Sequence, residues 1–518
     1  MNATAASETI QAPAGRAPAQ WKSYAIFTLC ASLYLLPFMP IMFAASDEGT
    51  LLCGAERIIH GQVFARDFFE VMGPGTFYWM AAFFKLFGIT FLASRICLFI
   101  SSLGVALSLY FLSSRVIKRY QVLPCVVLAG TSIGPLWPGI SHHLDSNFFG
   151  LVSVVCLVLW HDRRKNYLLI SAGSLAAITT CVLQPKGILL FCAFMAWLWL
   201  QRRKTSAPLT AAALLTGGYF AVIALVLAYF WSQGALGSLI YANFVFPSHH
   251  YTALNSVPYA LGMFTSYWNP WAAPGGPKWR IGVGAIEITP FLFVAALPLI
   301  MLLLAIRTKW KSVTPEIALY WLCGWALWLS ELHRKDIFHL VFGSALLIVL
   351  CVHTLAESRR RVPHLALQML VICSVFVACL NCCVALTMGV HTSATRVGNV
   401  AVSGKETILR LVNKYVSPGE ETLIYPSCPT CYFLSATTNP TRYSFLLYNY
   451  NTPEQFHQVV NTLDRRRVRY VILDTTTELV PTNQKDLILE PYLESHYRLV
   501  EEDHGIRVME RKDDGPAK

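Results

Sequence analysis

The chain has 518 residues, of which 55% are hydrophobic and only 14% are charged, and its mean hydropathy is +0.48. Soluble domains carry about a quarter of charged residues, so this composition excludes an ordinary soluble protein and favours a membrane protein with many spans. The net charge of +12 would also suit nucleic-acid binding, but the positions of the basic residues argue against it.

Apolar runs are predicted as membrane-spanning helices, because a span needs about 20 mostly apolar residues. Eleven such runs occur, at 21–45, 92–116, 122–137, 146–160, 167–182, 187–200, 209–231, 286–306, 316–332, 337–355 and 364–388. Together they predict a transmembrane domain over 21–390, preceded by a disordered polar tail at 1–20. Most of the fifteen cysteines lie inside these runs, where they act as small hydrophobic residues.

Basic clusters predict which loops face the cytoplasm. They occur at 115–119, 163–165, 202–204, 307–311 and 359–361, in every second loop. Cytoplasmic loops carry an excess of Lys and Arg, so the N-terminus is predicted to be cytoplasmic and the C-terminal region outside. We therefore expect an integral protein of a bacterial inner membrane, and the basic surplus does not indicate nucleic-acid binding.

Two long outer loops follow from this topology, at 46–91 and 232–285. Within the first, residues 77–87 are apolar but short, and are predicted either as an interfacial helix or as the start of a broken span. The second loop is rich in aromatic residues, Pro and Gly. It suits either a lid over a ligand or an aromatic belt at the membrane interface.

Residues 400–512 have soluble character and predict a small α/β domain outside the membrane, followed by a tail at 513–518. Strands are expected at 421–425, 469–474, 497–500 and 507–510, and helices near 430–435, 453–466 and 483–495. Cys428 and Cys431 are expected to form a short-range disulfide or to remain two free thiols.

Charged and imidazole side chains gather at the predicted outer ends of the spans, where charges are costly and usually functional. The members are Asp47, Glu48 and Glu70; His142, His143 and Asp145; Lys186; and Glu331, His333, Arg334, Lys335, Asp336 and His339. Simpler roles are open for several of them. Asp47 and Asp145 would also cap helices, and Lys186, in a short predicted loop, has little reason to be charged unless it meets a ligand.

These residues resemble a known family. The acidic pair Asp47-Glu48 after the first span, the segment GAERIIHGQVFARDFFEVMGPGTFYWMAAFFKLFG and the following Arg95 resemble the membrane glycosyltransferases of type C (the GT-C fold). The similarity points to the branch of protein O-mannosyltransferases, the lipid A aminoarabinose transferase and rhizobial core galacturonosyltransferases. Asp145 corresponds to the family's second acidic residue, and QPKG at 184–187 is similar to a stretch common in the branch. Met72 stands where the aminoarabinose transferases have a lysine.

The resemblance implies an inverting transfer of a sugar from a polyprenyl-phosphate donor to a lipid, glycan or protein acceptor outside the membrane. Asp47 would be the general base, with Glu48 and Asp145 beside it. Positive charge for the donor phosphate would come from Lys186, Arg334 and Lys335. A divalent metal ion would bind Glu70 and His143. Acceptor or sugar contacts are expected from His142, His249, His250 and His339.

Two other classes of protein are alternatives to a polyprenyl-phosphate-dependent glycosyltransferase. A transporter or lipid-binding protein without catalysis predicts charges along a pathway inside the spans and internal repeats, and neither is evident. An O-antigen ligase or polymerase would use a pyrophosphate-linked donor and outer loops rich in Arg and His. The acidic pair Asp47-Glu48 argues against that class.

Overall fold

The structure is a computed structural model that describes residues 17–42, 46–131, 139–251, 256–262, 277–307, 313–358, 361–402, 404–477 and 487–512. Its α-helices in these ranges are α1 Ala17–Leu35, α2 Ser46–Ile59, α3 Pro74–Phe87, α4 Phe91–Val116, α5 Leu123–Thr131, α6 His142–Arg163, α7 Asn166–Val182, α8 Gln184–Gln201, α9 Pro208–Ser232, α10 Leu236–Ile240, α11 Pro277–Arg307, α12 Pro315–Ser330, α13 Ile337–Gly343, α14 Ala345–Glu357, α15 Arg361–Val390, α16 Glu406–Tyr415, α17 Pro429–Ser435, α18 Pro453–Arg466 and α19 Leu489–His496. Its strands are β1 Ser393–Thr395, β2 Gly398–Val400, β3 Thr422–Tyr425, β4 Tyr470–Asp474, β5 Tyr497–Asp503 and β6 Ile506–Arg511.

Each apolar run predicted from the sequence overlaps a helix within the described residues of this mostly helical protein. Among the described residues, five helices are long and apolar enough to cross a membrane, namely α4, α6, α9, α11 and α15. The pair α13 and α14 would add a sixth if it forms one broken span. The chain is therefore an integral membrane protein, while the crossing number of eleven stays a prediction.

The run at 337–355, predicted as one span, is divided between α13 and α14, which are bent by 71° at their junction. The break falls at Gly343 and Ser344, and Gly-Ser pairs are a common cause of helix kinks. Gly343 also lies against α12, since a Cβ added there would stand 2.9 Å from the Leu327 carbonyl oxygen. The bend thus lets α13 pack on the end of α12 that carries Glu331.

Other predicted boundaries also change. Helix α11 begins at Pro277, inside the loop predicted at 232–285, and the same loop contains α10 and two π-helical turns at Tyr241–Val245 and Pro247–Tyr251. Helix α16 and the hairpin of β1 and β2 were not predicted. The following parts of the predicted elements lie outside the described residues: 1–16 of the tail, 43–45 of the first run, 132–137 of the third run, 252–255 and 263–276 of the second outer loop, 478–486 before α19 and the tail at 513–518.

Small residues allow the closest helix packing in the bundle. At Gly173 of α7 an added Cβ would collide with the Leu215 carbonyl of α9, and at Gly218 it would collide with the Ile170 carbonyl. Helices in membranes commonly associate through such small residues, because the backbones can approach closely. Helices α6, α7 and α9 consequently pack tightly against one another.

The C-terminal region contains a four-stranded sheet in the order β3-β4-β6-β5. Strands β3 and β4 are parallel, with Thr422 opposite Tyr470, and β6 is antiparallel to both β4 and β5. Every residue of β3 is buried, as expected for a strand covered on both faces. Helix α18 starts with a capping box between Thr452 and Gln455, which explains why its start was predictable.

Helix α2 joins this sheet region to the bundle. Its sequence is amphipathic, with Leu51, Leu52 and Ala55 fully buried, and the acidic residues of its first turn favour the positive end of the helix dipole. Helix α17 lies against it so closely that a Cβ at Gly49 would collide with the Thr430 backbone. Cys428 and Cys431, at the start of α17, form a disulfide, one of the two outcomes expected from the sequence.

Candidate active site

Glu48 is buried at the start of α2 and forms an ion pair with the equally buried Arg95 of α4. Its Oε1 also accepts a hydrogen bond from the Ile140 backbone N–H at 3.1 Å, and Arg95 donates to the Ile41 carbonyl at 2.8 Å. A Cβ added at Gly139 would stand 2.9 Å from Glu48 Oε2. Glu48 therefore ties α1, α2, α4 and the start of α6 together, which is a positioning role.

Asp47 lies beside Glu48 in the first turn of α2 and is half-buried. Helix α2 begins at Ser46, so Asp47 lies in its first turn, and a capping role for its side chain stays an alternative. Its carboxylate is an electrostatic neighbour of Glu70. Among the three acidic residues of the first predicted group, Asp47 is the one that is not fully buried.

Glu70 is 2% exposed, and its Oε1 has no hydrogen-bond partner within the described part of the chain. Burial raises the pKa of its carboxyl to about 8; Ser444 and Arg57 oppose this rise, and the negative charge of Asp47 adds to it. Arg57 in turn donates to the carbonyls of Thr441 at 2.9 Å and Asp67 at 3.1 Å. Two acidic side chains with different environments thus lie together at the start of α2.

Asp145 is 1% exposed in the first turn of α6, where Ser101 of α4 donates to its Oδ1 at 2.8 Å. Its Oδ2 has no hydrogen-bond partner among the described residues. Ser141 is the residue that caps α6, by accepting from the His143 N–H at 3.1 Å, so the capping role expected for Asp145 is wrong. Asp145 is therefore a buried carboxylate with a free acceptor atom.

Lys186 lies in the first turn of α8, not in a loop as predicted, and it is completely buried. Its Nζ lies 2.6 Å from Glu331 Oε1 and donates to Asn147 Oδ1 at 2.9 Å. The other oxygen of Glu331 lies 2.9 Å from His143 Nδ1. The charge of Lys186 is consequently balanced within the protein.

Four imidazole rings surround this network. His142 and His143 have ring centroids 4.1 Å apart, His143 and His339 4.6 Å, and His143 and His333 6.0 Å. His339 also lies 2.7 Å from Asp336 Oδ1, and Asp336 caps α13. The structure therefore brings the histidines at 142–143 together with Glu331, His333 and His339, which lie far away in the sequence.

The remaining predicted residues are Arg334, Lys335, His249 and His250. Arg334 forms an ion pair with Asp336 at 2.9 Å and keeps 43% of its side chain exposed. The carbonyl of Lys335 accepts from the Ala260 N–H at 2.7 Å. His249 and His250 are exposed on the π-helical turn after α10, where His250 packs on Phe246.

An apolar cavity of about 650 Å³ opens between α1, α4, α5, α6 and α15. Its walls are side chains such as Phe27, Leu98 and Val375, and its lining also includes Gly139 and Asn147. These two residues contact Glu48 and Lys186, respectively. The cavity thus leads from apolar walls to the buried charged groups.

The predicted metal ligands do not form a complete set. Glu70 has Arg57 and Asp47 as charged neighbours, and His143 contacts Glu331. Within the described residues, three side chains with metal-binding atoms converge only at His161, Asp162 and Glu316, near the opposite ends of α6 and α12. A divalent ion held by Glu70 and His143 therefore stays a prediction.

Three residues of the site were not selected as site residues from the sequence. Arg95 and Asn147 lie inside apolar runs, and a charged residue within such a run is a signal that could have identified Arg95. Glu331 was noted among the outer charges but was given no role. Its pairing with Lys186 joins residues 145 positions apart, which no local pattern reveals.

Comparisons with known proteins give a consistent answer at the level of the fold. No protein-family model matches the chain, and no curated protein sequence matches it. The structure of ArnT from Cupriavidus metallidurans bound to undecaprenyl phosphate is similar, with a TM-score of 0.57, 10% identity, and coverage of 97% of this chain and 100% of that one. ArnT in the apo state gives a TM-score of 0.56 at 10% identity, with 95% and 98% covered.

A third structure, the arabinosyltransferase EmbB from Mycobacterium smegmatis, covers 74% of this chain and 42% of its own at 15% identity, and its TM-score of 0.37 is too low to carry an argument. The likeness to ArnT extends over nearly the whole of both chains. The chain therefore has the fold of ArnT, the type C glycosyltransferase fold that the sequence resemblance had implied.

Proposed function

We propose that this protein is an inverting glycosyltransferase that moves a sugar from a polyprenyl-phosphate donor to an acceptor outside the membrane. The observation that carries the proposal is the apolar cavity of about 650 Å³, whose lining includes Gly139 and Asn147, the contacts of Glu48 and Lys186. A polyprenyl chain is apolar and its phosphate is charged, so a ligand of this kind matches both the walls and the charged groups. The ArnT structure with similar fold was determined with undecaprenyl phosphate bound.

In the proposed reaction Asp47 is the general base. It removes the proton from an acceptor hydroxyl while the hydroxyl oxygen attacks the anomeric carbon of the donor sugar from the face opposite the phosphate. The bond between the anomeric carbon and the phosphate oxygen breaks, and polyprenyl phosphate leaves with the electron pair. Asp47 suits this role because it is half-buried, whereas its acidic neighbours Glu48 and Glu70 are fully buried.

The other residues position the reactants or balance charge. Glu48 holds the start of α2 through Arg95, so it fixes where Asp47 lies. Asp145, with its free Oδ2, would accept a hydrogen bond from the acceptor or a bound water. Arg334, which is partly exposed, together with Lys335 would stabilise charge on the leaving phosphate, and Lys186 would act through Asn147.

The test is donor turnover by the purified protein in lipid nanodiscs, with a panel of polyprenyl-monophosphate and polyprenyl-pyrophosphate sugars and a bacterial envelope extract as the source of acceptors, measured as release of the lipid phosphate. We expect turnover of a monophosphate donor, and Asp47→Asn should lower it about 10²–10⁴-fold, as is usual when a general base is lost. Asp145→Asn should lower turnover as well. The matched control is Asp162→Asn at the opposite end of α6, which should keep activity.

Full activity of both Asp47→Asn and Asp145→Asn would overturn the proposal. Turnover of pyrophosphate donors alone would point instead to a ligase or polymerase. The acceptor and the sugar of the donor are to be identified with the same assay, by mass spectrometry of the products.

A further inference from the structure

A second cavity, of about 730 Å³, lies apart from the apolar one, on the side of the protein that carries the C-terminal sheet. We refer to it as the polar groove. Its walls come from three parts of the chain: the loop after α2 with Ala65 and Phe69, the segment 237–250 after α9, and residues 442–458 of the sheet region. Its size is within the range of about 300–1,000 Å³ that is typical of ligand sites.

The polar groove combines aromatic rings with amide side chains. The aromatic residues in its lining are Phe69, Tyr241, Tyr443, Tyr448 and Tyr450. The amides are Asn449, Asn451, Gln455 and Gln458. A sugar ring offers C–H groups on its faces and hydroxyls around its edge, so it can pack on aromatic faces while its hydroxyls bond to amides, which both donate and accept.

Charges are few and of both signs in this lining. Arg442 and Glu454 are its Arg and its acidic residue, and His250 is close enough to Glu454 to affect it electrostatically. The Nε of Arg442 is buried without a hydrogen-bond partner among the described residues, although its Nη2 donates to the Ala65 carbonyl at 2.6 Å. A polyhydroxylated ligand would find an unused donor in this lining.

Several backbone N–H groups at the polar groove already donate hydrogen bonds within the protein. The Phe69 N–H donates to the Arg442 carbonyl at 2.7 Å, and the Tyr450 and Asn451 N–H groups donate to the Leu447 carbonyl at 2.9 and 2.8 Å. A peptide that binds by adding a strand needs free backbone donors and acceptors. This pairing favours a saccharide over an extended peptide.

The polar groove lies back to back with the acidic site. Phe69 forms a β-bridge with Tyr443, and both line the groove. Successive residues of extended chain point to opposite sides, and Glu70, the next residue, is near Ser444, Arg57 and Asp47. A sugar in the groove would thus lie one strand away from Asp47, too far to react but close enough to belong to the same acceptor molecule.

We infer that the polar groove binds sugar units of a glycan acceptor that are remote from the reacting hydroxyl. This inference rests on the proposed function and names its acceptor class. Binding energy from such remote units would hold the reacting sugar against Asp47 and help to orient it. An acceptor shorter than the distance between groove and acidic site would lose this contribution.

The test is binding of soluble oligosaccharides to the full-length protein in nanodiscs, measured by saturation-transfer NMR with titration. The probes are maltohexaose, cellohexaose and the core oligosaccharide released from lipopolysaccharide by mild acid, with a Ser/Thr-rich peptide for comparison. Tyr241→Ala removes an exposed ring and should weaken oligosaccharide binding about five- to tenfold, as for loss of one aromatic anchor. Tyr241→Phe keeps the ring and is the matched control, and Asn449→Ala should weaken binding by removing an exposed amide.

Absence of binding by the wild-type protein to every oligosaccharide, or binding that Tyr241→Ala and Asn449→Ala leave unchanged, would overturn the inference. Binding of the peptide with the same sensitivity to Tyr241→Ala would also overturn it, in favour of a protein acceptor. Donor turnover, measured as lipid-phosphate release with a bacterial envelope extract as the source of acceptors, separates the two proposals. Turnover without oligosaccharide binding refutes the groove alone, and oligosaccharide binding without turnover refutes the transferase alone.

Discussion

The ion pair between Lys186 and Glu331 provides a sharp test of how the site is held together. Both side chains are completely buried, and Lys186 Nζ lies 2.6 Å from Glu331 Oε1. In Glu331→Gln the ammonium of Lys186 would lose its counter-ion and keep only neutral acceptors, such as the Asn147 amide oxygen at 2.9 Å. We expect this variant to be strongly destabilised.

The magnitude follows from the distance and the burial. At 2.6 Å and an effective dielectric constant of about 20, the gross Coulomb attraction is about 6 kcal/mol. Desolvation of the two groups cancels much of this attraction, but removal of one partner leaves the other charge buried. Breaking a buried pair in this way costs about 3–5 kcal/mol. Lys186→Met should cost less, because Glu331 keeps His143 at 2.9 Å.

The assay is reversible unfolding in mixed micelles, followed by tryptophan fluorescence, for both single variants and the double variant Lys186→Met/Glu331→Gln. The double variant should lose less stability than the sum of the single losses, because it leaves no unpaired ammonium. The matched control is Asp503→Asn, which breaks the exposed pair with Arg410 on the sheet region. Exposed pairs contribute about 0–1 kcal/mol, so this control should be nearly neutral.

Additive losses in the double variant would refute the reasoning, as would a loss below about 1 kcal/mol for Glu331→Gln. Either result would mean that water or another group reaches Lys186. The buried network could then not be treated as a fixed support for Asn147 and the apolar cavity.

Three further predictions concern the buried acidic residues Glu70 and Glu48. Burial raises the pKa of Glu70 to about 8, so the folded state binds its proton more tightly than the unfolded state, and stability falls as pH rises from about 4.5 to about 8. Glu70→Gln should therefore match the wild-type Tm at pH 5 and exceed it at pH 8. Parallel curves of Tm against pH for the two proteins would contradict this. Arg95→Met leaves Glu48 buried without its counter-ion and should cost about 3–5 kcal/mol in the unfolding assay, with partial recovery on adding Glu48→Gln; no recovery would exclude the pair as the cause. Gly139→Ala should lower the free energy of unfolding by about 1–3 kcal/mol and reduce donor turnover, since the added Cβ would stand 2.9 Å from Glu48 Oε2. The control Gly217→Ala should be tolerated, because there is open space around Gly217. Equal Tm values for the two variants would contradict the packing argument.

Local patterns explain what could be predicted from the sequence. The helices could be located from the apolar runs, because membrane helices satisfy their backbone groups internally and length and hydropathy therefore suffice to identify them. Helix α18 was predicted at 453–466 from its helical spacing, and its start is stabilised locally by the capping box of Thr452 and Gln455. The acidic residues at the ends of the runs were recognisable because charge at a membrane boundary is costly.

Tertiary structure decided the roles of those residues, because burial and pairing depend on contacts between distant parts of the chain. Asp47 and Glu48 are adjacent acids in the sequence, yet one is half-buried and the other is buried against Arg95, 47 positions away. The bend between α13 and α14 depends on the close approach of Gly343 to α12, which composition does not encode. The sequence by itself thus determined a helical membrane protein with acidic residues near its apolar runs, and only packing decided which of them are buried and which one is half-buried.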